Sequence, residues 1–127
     1  MKILIGSTFP LVLIRRPVFI EPVELDILFE QIKQAGNIYS FWGHSNTIEI
    51  ASKVLGVDLT PDVERPAIKL NEKKLPVLYG EVFKECWVLS PNYVKGFRPQ
   101  VGIEVTKDKI SGWDLLNVKW VEQRGET

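Results

Sequence analysis

Residues 24–35 constrain the fold of this chain more than any other stretch. Leu25, Leu28, Phe29 and Ile32 recur at i, i+3, i+4 and i+7, so a helix here carries one apolar stripe and must bury it against a second element. Gly36 follows directly and suits the left-handed position that closes a helix. The flanking runs have a different character. Lys2 to Gly6 reads as a buried first strand, Pro17 to Ile20 as a second, and Asn37 to Trp42 as a short aromatic strand. Pro17 marks the second as an edge strand or a strand start. An amphipathic helix set among strands fits a layered domain in which each element covers another.

A second helix is expected from about Asn46 to Leu55. Asn46 with Glu49 three residues on has the form of a capping box, and Gly56 closes the helix. Thr60-Pro61-Asp62 suits the start of one further turn. Ala67 to Leu70, Pro76 to Tyr79 and Val82 to Leu89 read as strands, the first two joined by a turn at Asn71 to Lys74. Pro91 to Val101 reads as a long polar loop. Leu115 to Val121 reads as a final strand with Leu116, Val118 and Trp120 on one face. Arg15-Arg16 and Lys73-Lys74 are expected in exposed turns. The expected fold class is α+β: a single small domain over residues 1–122, a mixed β-sheet flanked by two main helices, and a frayed tail at 123–127.

Composition narrows the function. Sixteen Lys and Arg balance sixteen Asp and Glu. A protein that coats long nucleic acid by counterion release usually carries a basic excess, so a small or local anion is the better expectation. One cysteine, Cys86, leaves no intrachain disulfide or cysteine-rich zinc site, and one histidine leaves no histidine cage within one chain. No resident metal or cofactor is expected. No apolar run reaches bilayer-spanning length and the first residues lack a signal-peptide pattern, so the expected compartment is the cytoplasm, without membrane association.

The one histidine lies in Gly43-His44-Ser45-Asn46-Thr47, between a strand-like and a helix-like run. A helix start offers free N–H groups and positive partial charge, a natural anion site. His44 there either hydrogen-bonds backbone or performs acid–base chemistry on a bound phosphate. Asn46 either caps the helix or contacts ligand. Ser45 and the N–H groups of Asn46 and Thr47 are further phosphate donors. Arg65 and Arg98 are either solvated or present a guanidinium fork to phosphate. From Trp87 to Arg98 aromatic and basic residues interleave, including Tyr93, Lys95 and Phe97. Those rings either stack on bases or pack on the core.

The order of these segments resembles the viral ring nucleases that act as type III anti-CRISPR proteins. That family's helix-starting motif reads Gly-His-acidic-small-Thr, and its helix ends Leu-Cys-Gly or Leu-Leu-Gly. Here Gly43 to Thr47 and Leu55-Gly56 stand in those places. The family's Arg-Val-Glu-Val-Lys-Leu corresponds to Arg65-Pro66-Ala67-Ile68-Lys69-Leu70. Arg98 to Gly102, then Ile103 to Thr106, follow the family's later arginine, glycine, strand and helix start. Lys2 to Ser7 fits its first strand. Ser45 replaces the acidic residue and Asn46 the small residue after it. Pro10 aligns with a family serine, leaving Ser7 or Thr8 as substitutes. Val101 aligns with a family glutamate, and Leu75 to Gly96 contains an insertion.

The resemblance implies a homodimeric, metal-independent nuclease that cleaves cyclic tetra-adenylate to linear products with 2′,3′-cyclic phosphate ends. It implies His44 as the acid that protonates the departing 5′-oxygen and Arg98 as the stabiliser of the charged transition state. Ser7, Thr8, Gly43, Ser45, Asn46, Thr47 and Arg65 are implied as ligand-binding. Two other readings stand beside it: a nucleic-acid-binding protein without catalysis, and a module that sequesters cyclic oligoadenylate.

Overall fold

The computed structural model describes residues 2–6, 9–41, 45–58, 68–98 and 105–122, and for 45–49 the backbone only. In chain order the elements are β1 (Lys2–Gly6), β2 (Val18–Pro22), α1 (Leu25–Gln34), β3 (Asn37–Ser40), α2 (Ser45–Leu55), β4 (Lys69–Leu70), β5 (Pro76–Leu78), β6 (Glu81–Val82), β7 (Glu85–Tyr93) and β8 (Ile110–Trp120). β1 pairs in parallel with β3 on one side and with β7 on the other. β7 and β8 run antiparallel, and β8 carries β2 antiparallel on its outer side. The order across this mixed sheet is β2-β8-β7-β1-β3, and β4-β5-β6 form a small antiparallel sheet. The fold is α+β, with a mixed sheet and two main helices, as the sequence implied.

Strand alternation sorts the side chains into two cores. Ile3, Ile5, Trp87, Leu89 and Leu115 cluster with Leu28 of α1 and with Ala51 and Leu55 of α2. Leu4, Cys86, Val88, Val118 and Trp120 cluster with Leu75, Leu78 and Phe83, which belong to the small sheet and its flanks. Both helices therefore cover one face of the large sheet and the small sheet covers the other. Leu28 of the α1 stripe is fully buried, worth about 2 kcal/mol on the usual area scale.

Several expectations are corrected. Gly36 does not close α1 in a left-handed conformation: Ala35 is already extended (φ −76°, ψ 137°), and its N–H bonds the Ile32 carbonyl at 3.2 Å. Gly56 does act so after α2, at φ +72°, with the Val57 N–H on the Ser52 carbonyl at 3.2 Å. α2 begins at Ser45, so Asn46 lies in its first turn and not at the cap position. The expected strand Val82 to Leu89 is two strands, parted at Phe83, whose ring is buried and whose N–H bonds the Pro76 carbonyl at 2.9 Å.

The expected loop from Pro91 begins instead as strand, because β7 runs on to Tyr93 and β8 starts at Ile110. The hydrogen-bond phase explains why a proline is tolerated. Leu115 accepts from Val23 on the β2 side, whereas the Trp120 N–H bonds Lys84 on the β7 side. Odd-numbered β8 residues thus bond toward β2 and even-numbered ones toward β7. Pro91 stands opposite Trp113, an odd residue, so its missing N–H faces the side where β1 has already ended.

Arg16 is also corrected. It is buried, not exposed, and its guanidinium donates to the Lys73 and Val121 carbonyls. Those bonds tie the β4–β5 turn to the end of β8 and offset the desolvation of the charge. Arg15, Lys73 and Lys74 are exposed as expected. Thr60 to Asp62 and the tail 123–127 lie outside the described residues.

Candidate functional site at the carboxyl ends of the parallel strands

β1 and β3 run the same way, so they end at one rim of the sheet. The Phe41 N–H bonds the Ile5 carbonyl at 3.1 Å and carries the pairing one residue past β3. The Phe41 ring lies across Gly6: a Cβ built there would clash with the ring. Glycine is the residue that permits this approach. Phe41 meets Phe9 edge-on at 6.0 Å between ring centroids, and Phe9 meets Trp120 at 5.3 Å. Gly6 and Phe9 bracket the Ser7-Thr8 segment, and Phe41 leads into the segment before α2. The described ends of both segments are thus held by one aromatic cluster.

α2 begins at Ser45, a few residues after this cluster, and is 11 residues long. Its first turn holds no acidic residue, whereas α1 carries Asp26 in its own. The partial positive charge at the α2 start is therefore not neutralised by a first-turn carboxylate, which favours an anion there. Ser45, Asn46 and Thr47 form this turn. Ser7, Thr8, Gly43, His44 and Arg65 lie outside the described residues.

Arg98 is exposed and belongs to a different feature. Val88 of β7 stands level with Gly6 at the end of β1. Leu89 to Tyr93 continue past that rim for about 17 Å at ordinary strand rise, paired only with β8. The two strands form a ribbon. At its tip the Val94 N–H bonds the Lys109 carbonyl at 2.9 Å, Gly96 turns the chain at φ +86°, and Arg98 follows. Tyr93 and Phe97 pack with centroids 5.4 Å apart, and the Lys109 ammonium sits 5.8 Å from the Phe97 centroid. The Thr106 hydroxyl donates to the Asp108 carboxylate and holds its pKa below the usual range, with a smaller contribution from Lys109. Of the aromatic residues from Trp87 to Phe97, Trp87 packs in the core while Tyr93 and Phe97 pack on each other.

The rim therefore receives the ends of β1 and β3, and the ribbon that carries Arg98 continues from it. Gly6, Phe9 and Phe41 were not singled out by the sequence. A glycine ending an otherwise apolar strand was the available signal. Cys86 is fully buried and desolvation pushes its thiol pKa far up, so it is an inert core group. Among the described residues no three His, Cys, Asp or Glu side chains come together as metal ligands.

No protein-family model matches this chain, and no curated protein matches it. Among solved structures it is similar to B116 of Sulfolobus turreted icosahedral virus, with a TM-score of 0.56 and 15% identity over 94% of this chain and 99% of that one. At that identity the likeness concerns the fold.

Proposed function

We propose that this chain is a metal-independent ring nuclease that opens cyclic tetra-adenylate into linear products with 2′,3′-cyclic phosphate ends and so counters type III CRISPR signalling. The observation that carries the reading is the start of α2 at Ser45, the residue that follows His44 in the chain. The first turn of that helix has no carboxylate to repel a phosphate. The motif resemblance and a fold shared with a virus protein support the same reading.

In this mechanism a ribose 2′-OH of the substrate attacks its neighbouring phosphate and gives up its proton to solvent as the bond from phosphorus to the 5′-oxygen breaks. The protein positions the ring and stabilises charge as it develops. His44 protonates the departing 5′-oxygen. Arg98 stabilises the transition state at phosphorus. Arg65, Ser7 or Thr8, Ser45 and the N–H groups at Asn46 and Thr47 hold phosphates, with Gly43 allowing close approach.

The active form in this proposal is a homodimer with the ring across its two-fold axis. The outer edge of β2 supports self-association. By the pairing phase, Val18 and Ile20 direct their N–H and C=O groups away from β8, and the Phe19 and Ile20 side chains are 56% and 46% exposed. The proposed compartment is the cytoplasm, and the activity requires neither a membrane nor long nucleic acid. Among the described residues no helix is long and apolar enough to cross a bilayer.

Incubation with cyclic tri-, tetra- and hexa-adenylate in EDTA, with chromatography of the products, tests the proposal. Linear products from the tetramer support it. Activity that EDTA abolishes removes the metal-free mechanism, and tight binding without turnover identifies a sequestering module. The cation-and-ring tip at Phe97, Lys109 and Arg98 favours one second reading, a nucleic-acid-binding protein without catalysis. Salt-sensitive binding of long RNA or DNA with no cleavage of cyclic oligoadenylate selects it.

A further inference from the structure

β2 is shorter than the strand it pairs with. It covers β8 from Trp120 to Leu116, ends at Pro22, and makes a last bond from the Val23 N–H to the Leu115 carbonyl. The chain then enters α1. Beyond that point the outer edge of β8 has no strand partner among the described residues. By the pairing phase Trp113 directs its N–H and C=O outward there, because even-numbered residues bond toward β7.

A groove of about 600 Å³ lies at this place, lined by Pro22, Val23, Glu24, Ser90, Trp113, Asp114, Leu115 and Leu116. Trp113 and Leu115 belong to the helix-covered face of β8, and Asp114 and Leu116 to the opposite face. The lining thus includes residues of both faces of β8, with Ser90 of β7 opposite Asp114. Its charge is of one sign. Glu24 precedes α1 and makes no side-chain capping bond, and neither Glu24 nor Asp114 has an ion-pair partner among the described residues. Trp113 supplies a half-buried ring between them, and Leu116 is 37% exposed.

We propose that this groove takes an extended, lysine- or arginine-bearing peptide segment of a partner protein, which continues the line of β2 along β8. The Trp113 main chain supplies one donor and one acceptor, as in strand addition. Glu24 and Asp114 flank the line and select cationic side chains, and Trp113 receives one over its ring. Apolar side chains on the segment meet Val23 and Leu116. An acidic segment is rejected by the same two carboxylates. The proposal does not rest on the nuclease reading.

The test uses the full chain and two capped hexapeptides, one alternating lysine with valine and one alternating glutamate with valine. Backbone NMR follows the Trp113 amide. The lysine peptide is expected to shift that resonance and to slow its hydrogen exchange several-fold, whereas the glutamate peptide leaves both unchanged. The double substitution Glu24→Lys with Asp114→Lys, at solvent-facing carboxylates, is expected to weaken the lysine peptide at least tenfold while the rest of the spectrum stays folded. Equal response to both peptides, an unaltered Trp113 exchange rate, or undiminished binding by the double variant overturns the proposal.

Discussion

Gly6 and Phe41 pack so closely that only a residue without a Cβ fits between the end of β1 and the ring. Gly6→Ala places a carbon where the Phe41 ring lies, and Phe41 is held in turn by Phe9. Overpacking of this kind costs about 1–3 kcal/mol. The urea midpoint of the variant should fall accordingly, and a second change, Phe41→Leu, should restore part of it. Cys86 gives a pH signature. Burial, with a smaller push from the Glu85 carboxylate, raises its thiol pKa far above the ordinary value near 9.0. Above pH 9 the unfolded chain releases that proton while the folded chain keeps it, so stability falls as pH rises. The slope is about 1.4 kcal/mol per pH unit from this group. Below pH 9 the contribution is fully present. Denaturation from pH 8 to 10.5 should show the decline, and Cys86→Val should flatten it. The sequence singles out His44 by uniqueness and chain position, but it does not show the contact between Gly6 and the Phe41 ring. That contact depends on the register of β1 with β3, which no single segment encodes.

At the level of elements, the long periodic stretches were the legible ones. The stripe from Leu25 to Ile32 fixed α1, and the alternation of Leu116, Val118 and Trp120 assigned the faces of β8. The misreadings arose where tertiary pairing overrides local chemistry. Pro91 looked like a loop start, yet the pairing phase leaves its missing N–H harmless. Arg16 looked like a solvated turn residue, yet two distant carbonyls bury it. The ribbon has its own prediction. If it delivers a catalytic guanidinium, Arg98→Ala should lower single-turnover cleavage by about 10²–10³, the usual effect of losing one transition-state donor. Lys95→Ala, at the same tip, should change cleavage far less. The edge strand is testable separately. Ile20→Lys should convert a dimer to monomer by sedimentation velocity, because it sets a charge against its own two-fold mate.

For the whole molecule, layer architecture was readable and assembly was not. Two helices on one face and a small sheet on the other follow from which strand residues are apolar. That β1 and β3 end at one rim follows from their parallel pairing, a long-range property. A balanced charge fits a compact anionic ligand better than a long polyanion. The proposed role of His44 is to donate a proton to a leaving ribose oxygen of cyclic tetra-adenylate. The direct measurement is single-turnover cleavage of that ring in EDTA by the wild-type chain and by His44→Ala, with products resolved by chromatography. Linear products with 2′,3′-cyclic phosphate ends are expected, with a loss of about 10²–10⁴ in rate for the variant, the span of general acid catalysis. An intact ring with the wild-type chain, or an unchanged rate with His44→Ala, would contradict it.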